Sequence, residues 1–177
     1  MEKLKQSHDV TIHWRSYELR PPGAPPIPPE YLAQIKASRP RLYATAKAQY
    51  GLTLNMGPFG VDSRPALIGA KFAEEKGVGQ AYHDAVFTAY WLNAQDISDL
   101  DVLVAVATAV SLDPDEFLAA LNNPHYQAQM EADVAQAHAY GLSGVPALVY
   151  DNKYLVSGAQ PYEVLAEVAE KALADDS

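Results

Sequence analysis

Along residues 9–18 (DVTIHWRSYE), Val10, Ile12 and Trp14 alternate with Thr11, His13 and Arg15. A period of two with β-branched and aromatic enrichment predicts a strand over 10–17. From Tyr31 to Tyr140 the apolar period lengthens to three and four residues, which predicts helices nearly throughout. Pro40 interrupts residues 31–51, so two helices or one kinked helix are expected there, ending at Gly51. Ser63 followed by Pro65 is a helix-start signal, and that helix runs to Gly77. Tyr82, Val86, Phe87, Tyr90 and Trp91 form one stripe on the next helix. Asp99 or Ser98 opens LDVLVAVATAVSL, apolar nearly all round and therefore expected to be deeply buried. Asp113-Pro114 and Pro124 open two further helices, the second closed by Gly141.

Beyond Gly141 the texture becomes β-like. PALVY (146–150) and KYLVSG (153–158) are short strand patterns, joined by Asp151-Asn152, a pair suited to a two-residue hairpin turn. Pro161 then heads an amphipathic helix with Val164, Leu165, Val168 and Leu173 on one side, and residues 174–177 are expected to fray. Pro146 stands at the head of the first strand, where a residue without an N–H is tolerated only at an edge, a bulge or a first position. An isolated hairpin is marginal in water, so 146–157 needs another strand, and 10–17 is the candidate.

This order divides the chain. Residues 1–20 and 139–177 form an α/β part with a narrow sheet, and 28–138 form an all-helical insertion. Six of the thirteen prolines fall in 21–29, a stiff extended connection. The polar helical piece at 2–7 reads as the end of a helix whose start, with the strand feeding it, lies upstream of Met1.

Composition narrows the chemistry. With 177 residues and 49% hydrophobic content the chain can bury one real core. A formal charge of −9 argues against nucleic acid and against anionic membrane surfaces as partners. No apolar run is long enough for a membrane span, and the first ten residues carry no apolar leader segment, so a cytoplasmic protein is expected. Cysteine is absent. Disulfides, thiolate metal sites and thiol nucleophiles are thereby excluded from this chain.

The segments VTIHWRSYELRP (10–21), GLTLNMGPFGVDSRPALIGAKFAEEKG (51–77), AYHDAVFTAYW (81–91) and AYGLSGVPALVYDNKYLVSGAQP (139–161) carry a resemblance. They resemble the DsbA/FrnE-like thioredoxin-fold oxidoreductases. These are related to the 2-hydroxychromene-2-carboxylate isomerases and the kappa-class glutathione transferases. The resemblance implies a thioredoxin-like fold with an incomplete sheet and a large helical insertion. The family's first strand and its Cys-x-x-Cys have no counterpart here. It further implies that Pro146 is cis and that Val145 pairs its main chain with an extended substrate. Gly144, Val145, Pro146 and Asn55 are then the substrate-binding positions, with His83 and Trp91 as candidates to line the groove.

No catalytic residue is assigned, because disulfide exchange needs a thiolate and serine cannot replace it. The isomerase branch binds glutathione and uses a serine near the start of the first helix; Ser7, at a helix end, does not match it. Ala159 and Gln160 also stand where that branch holds the glutamyl end of glutathione. No cofactor is expected beyond glutathione as an option, and the partner the resemblance implies is an extended peptide or thiol substrate. The five histidines are spaced for no shared metal site. His83, four residues from Phe87, reads first as a packing residue, and Glu74-Glu75 and Asp113/Asp115 as a helix face and a helix start. Three readings follow: a DsbA-family oxidoreductase that is redox-inactive as this chain, a non-catalytic peptide- or glutathione-binding module, and a glutathione-dependent isomerase. An interior gap in the sheet leaves unpaired edges, so either direct re-pairing of 10–17 with the proline-loop strand or borrowing from a second copy is expected, and a homodimer is favoured.

Overall fold

The computed structural model describes residues 1–175, as two compact units. One comprises Met1–Leu19 and the chain from Ala132 onward; the other is Arg20–Glu131.

The second unit is helical. It holds α2 (Pro29–Tyr50), α3 (Arg64–Glu75), α4 (Gly79–Trp91), α5 (Leu100–Ala109), α6 (Pro114–Leu121) and the start of α7 (Pro124–Ala139). Its core is aromatic. Phe117 lies 5.8 Å from Tyr82 and 6.3 Å from Phe72, and Phe72 meets Tyr126 edge-on at 5.6 Å. Gly69 permits this approach, since a Cβ there would sit 2.5 Å from the Tyr82 hydroxyl and 2.7 Å from the Phe117 ring. Asp99 caps α5 through the N–H of Asp101, and Asp113 caps α6 through those of Asp115 and Glu116. At α3 the capping differs from expectation. Ser63 occupies the N-cap but its side chain makes no cap bond, and Asp62 accepts the Arg64 N–H instead.

Of the two alternatives at Pro40 the structure has the single helix, α2, closed by Gly51 at φ 69° as expected. Proline removes a single N–H from a ladder of 22 residues, and the remaining turns hold. α5 is half-buried, not engulfed. Leu103, Val106 and Ala107 face the core, while Leu100, Ala105 and Ala109 are exposed. An apolar sequence reports what a helix can bury; its neighbours decide what it does bury.

The first unit contains α1 (Glu2–Ser7), the end of α7, the hairpin β1 (Ala147–Tyr150) and β2 (Tyr154–Ser157), and α8 (Tyr162–Asp175). Leu4 is buried on α1, Ala169 and Ala172 on α8, and Val156 on β2. Tyr150 donates its hydroxyl to the Leu165 carbonyl at 3.2 Å, tying β1 to α8. The buried face of α8 is carried by alanines; Val164 and Leu173, expected on it, are exposed. The fraying expected of 174–177 falls partly outside the described residues, and α8 continues through Asp175.

The expected strand at 10–17 does not form. Among the described residues the sheet has two strands, β1 and β2, antiparallel. Residues 9–18 take no regular structure and are held by side chains. The buried Asp133 carboxylate accepts the Ser16 N–H at 2.9 Å and Arg15 at 3.2 Å, and Tyr17 reaches the Leu142 carbonyl at 3.4 Å. The physical reason is a missing neighbour. A strand pattern becomes a strand only when another backbone takes its ladder groups. The hairpin turn also gains one residue. Asp151 and Asn152 take φ of 47° and 56°, and the Lys153 N–H returns to Tyr150 at 2.9 Å. Tyr150 nevertheless pairs with Tyr154, leaving Lys153 as an extra residue in the ladder.

Candidate functional site

The loop Leu142–Pro146 leads from α7 into β1. Val145 is 53% exposed, Pro146 is exposed and Gly144 half-buried, with nothing within 4 Å of where a Gly144 Cβ would lie. The Val145–Pro146 peptide bond is cis. The register fixes which main-chain groups are already used. The Gly158 N–H bonds the Pro146 carbonyl at 2.9 Å, and Leu148↔Val156 and Tyr150↔Tyr154 continue that pairing. In an antiparallel ladder the alternate residues turn their N–H and C=O away from the partner strand. Ala147 and Val149 therefore present their main-chain groups along the open side of β1, and Val145 precedes them across the cis bond. Among the described residues the main chain of Val145 has no hydrogen-bond partner.

Asn55 and Trp91 belong to the helical unit and are brought together there through the main chain. The Asn55 N–H donates to the Trp91 carbonyl at 2.8 Å, and the Asn55 carbonyl accepts from Ala94 at 2.8 Å. Gly57 locks the same loop, its N–H on the Tyr90 carbonyl at 2.7 Å. A Cβ at Gly57 would meet the Gln95 carbonyl at 2.4 Å and the Tyr90 ring at 2.8 Å. The Asn55 side chain stays exposed at the surface. His83 stacks on Phe87 at 4.4 Å and approaches the Asp84 carboxylate at 3.2 Å, so packing accounts for its placement. A cleft of about 240 Å³ in this unit, lined by Arg20, Pro21, Gly60 and Asp62 among others, contains none of the expected site residues.

Ser7 ends α1, where its hydroxyl donates to the Lys3 carbonyl at 2.8 Å and accepts from Tyr162 at 2.7 Å. It also lies 2.8 Å from His8 Nδ1. That is a helix end, as its position in the sequence indicates, and Tyr162 ties it to α8. Asp133 went unnoticed in the sequence. An acidic residue in the middle of a helix carries no signal that it will be buried and clip a segment 117 residues away.

A family model described as a DSBA-like thioredoxin domain matches residues 1–170. The chain belongs to the DsbA-like thioredoxin family. Among its relatives is YwbO of Bacillus subtilis, 28% identical over 99% of this chain and 86% of that protein. A probable DsbA oxidoreductase of Streptomyces coelicolor is 29% identical with a TM-score of 0.72, over 82% of this chain and 64% of its own. A 2-hydroxychromene-2-carboxylate isomerase superposes over 99% of this chain and 89% of its own, with a TM-score of 0.79 at 22% identity. That last likeness is one of fold. Within this DsbA-like chain the proline loop and the open side of β1 are thus set in a thioredoxin-type framework, with no sulfur nucleophile in the sequence.

Proposed function

We propose that this DsbA-like chain is a docking module that holds an extended peptide along Val145, Ala147 and Val149 and performs no thiol chemistry itself. The observation that carries the reading is the row of outward main-chain groups on β1, preceded by a Val145 with no partner of its own. An extended peptide laid there would complete a ladder, so affinity comes from main-chain bonds and selectivity from the neighbouring side chains. Any disulfide exchange at this loop must draw its attacking thiolate as well as its disulfide from other molecules, because a hydroxyl does not form the mixed disulfide through which exchange proceeds.

Calorimetry with a cysteine-free extended peptide, together with a disulfide-reduction assay on insulin, tests this. The expected result is saturable heat with the peptide and no reduction above buffer. Turnover of insulin disulfides, or no heat with the peptide, would overturn it. Glutathione in place of the peptide examines whether the same row accepts a short thiol peptide.

A further inference from the structure

The carboxylates of this acidic chain are unevenly placed. Between Tyr31 and Val61 there is no Asp or Glu, while Lys36, Arg39, Arg41 and Lys47 all lie there. The formal −9 of the whole chain is +4 within this stretch and −13 outside it. The stretch is mostly α2, a helix about 33 Å long in which Ala46 is the one buried residue among those described. Tyr31, Leu42 and Tyr50 on it are 55%, 45% and 72% exposed. At 100° per residue these three and the half-buried Leu32, Ile35 and Tyr43 share one arc of about 120°, with Lys36 and Lys47 along its border. Lys36 and Lys47 have no acidic partner among the described residues.

Most of the chain's carboxylates already have an occupation. Asp99 and Asp113 cap helices, Glu74 pairs with Lys71, Glu116 with Lys76, Glu131 with Arg64 and Asp133 with Arg15. The outer side of α8 is different. Glu163, Glu167 and Glu170 recur at i, i+4 and i+7, all exposed, beside the exposed Val164 and Leu173. His8, 3.6 Å from Glu170, is the one basic contact this row makes among the described residues. α8 therefore offers acid with apolar flanks, and α2 offers base with apolar flanks.

We propose that α2 docks on the outer face of α8 in a second copy of this chain, the two copies exchanging the contact reciprocally. Two α2 helices facing each other would set like charges together, so the α2–α8 pairing is the one that charge allows. A polyanion such as nucleic acid, or an anionic membrane, would meet the repulsion of the remaining −13.

Sedimentation equilibrium on the whole chain tests this. The expected result is a monomer–dimer equilibrium whose association constant falls about tenfold or more as salt rises from roughly 20 to 300 mM. The variant Lys36→Glu/Lys47→Glu should be monomeric, and so should Glu163→Lys/Glu167→Lys, each with an unchanged circular dichroism spectrum. Mixed together, the two variants should re-form a dimer, because each then presents the sign the other lacks. A wild type that stays monomeric at low salt would overturn the proposal. So would a dimer that survives either reversal, or a mixture that fails to pair. A monomeric wild type that captures a synthetic Glu-rich amphipathic peptide through α2 would assign the face to a foreign partner and equally overturn it.

Discussion

Tyr82 is almost wholly buried, and its hydroxyl has no hydrogen-bond partner among the described residues. Burial pushes its ionisation well above the usual tyrosine range. A buried hydroxyl without a partner loses its hydration and gains nothing for it, at about 1–3 kcal/mol. Tyr82→Phe keeps the ring against Phe117 and removes that group, so unfolding in urea should show a protein more stable by about 1 kcal/mol. A loss of stability would reveal a partner for the hydroxyl. The converse case is Val145, an exposed residue whose main chain is the feature that matters. Side-chain chemistry would pass over it, and the candidate site is legible in the sequence only through the family resemblance that Gly144-Val145-Pro146 and the following hairpin carry.

The segment 9–18 shows how far an element can be read before its neighbours are known. Alternation at Val10, Ile12 and Trp14 predicts a strand, and the backbone there is irregular and joins no sheet among the described residues. What anchors it is Asp133, whose carboxylate takes one main-chain N–H and one guanidinium in a buried position. Asp133→Asn leaves one acceptor oxygen and removes the charge, and should lower stability by about 1–3 kcal/mol in chemical denaturation. An unchanged midpoint would show that the segment is held some other way. The helices were legible because their signals are local: Asp99 and Asp113 cap as placed, and Gly51 and Gly141 close helices at positive φ. The face of a helix is less legible. α5 looked fully buried and α8 looked valine- and leucine-faced, because burial depends on what packs alongside. The hairpin turn was visible in Asp151-Asn152, while the additional Lys153 depends on the ladder register, which short sequence patterns do not encode.

At the scale of the whole molecule, a cysteine-free sequence carries a DsbA-like thioredoxin domain. Among the described residues no helix is long and apolar enough to cross a membrane. This cysteine-free thioredoxin framework leaves one side of β1 open beside the proline loop, and the docking reading rests on that edge. The helical unit adds a basic, lightly packed helix to an otherwise acidic chain, which is why self-association should respond to salt. The docking reading is tested most directly by amide hydrogen exchange with and without a cysteine-free extended peptide, read residue by residue. It predicts an alternating signature. The amides of Val145, Ala147 and Val149 slow when the peptide is added, while those of Leu148 and Tyr150, already paired to β2, do not change. Exchange at Val145, Ala147 and Val149 that is indifferent to a saturating peptide would contradict it.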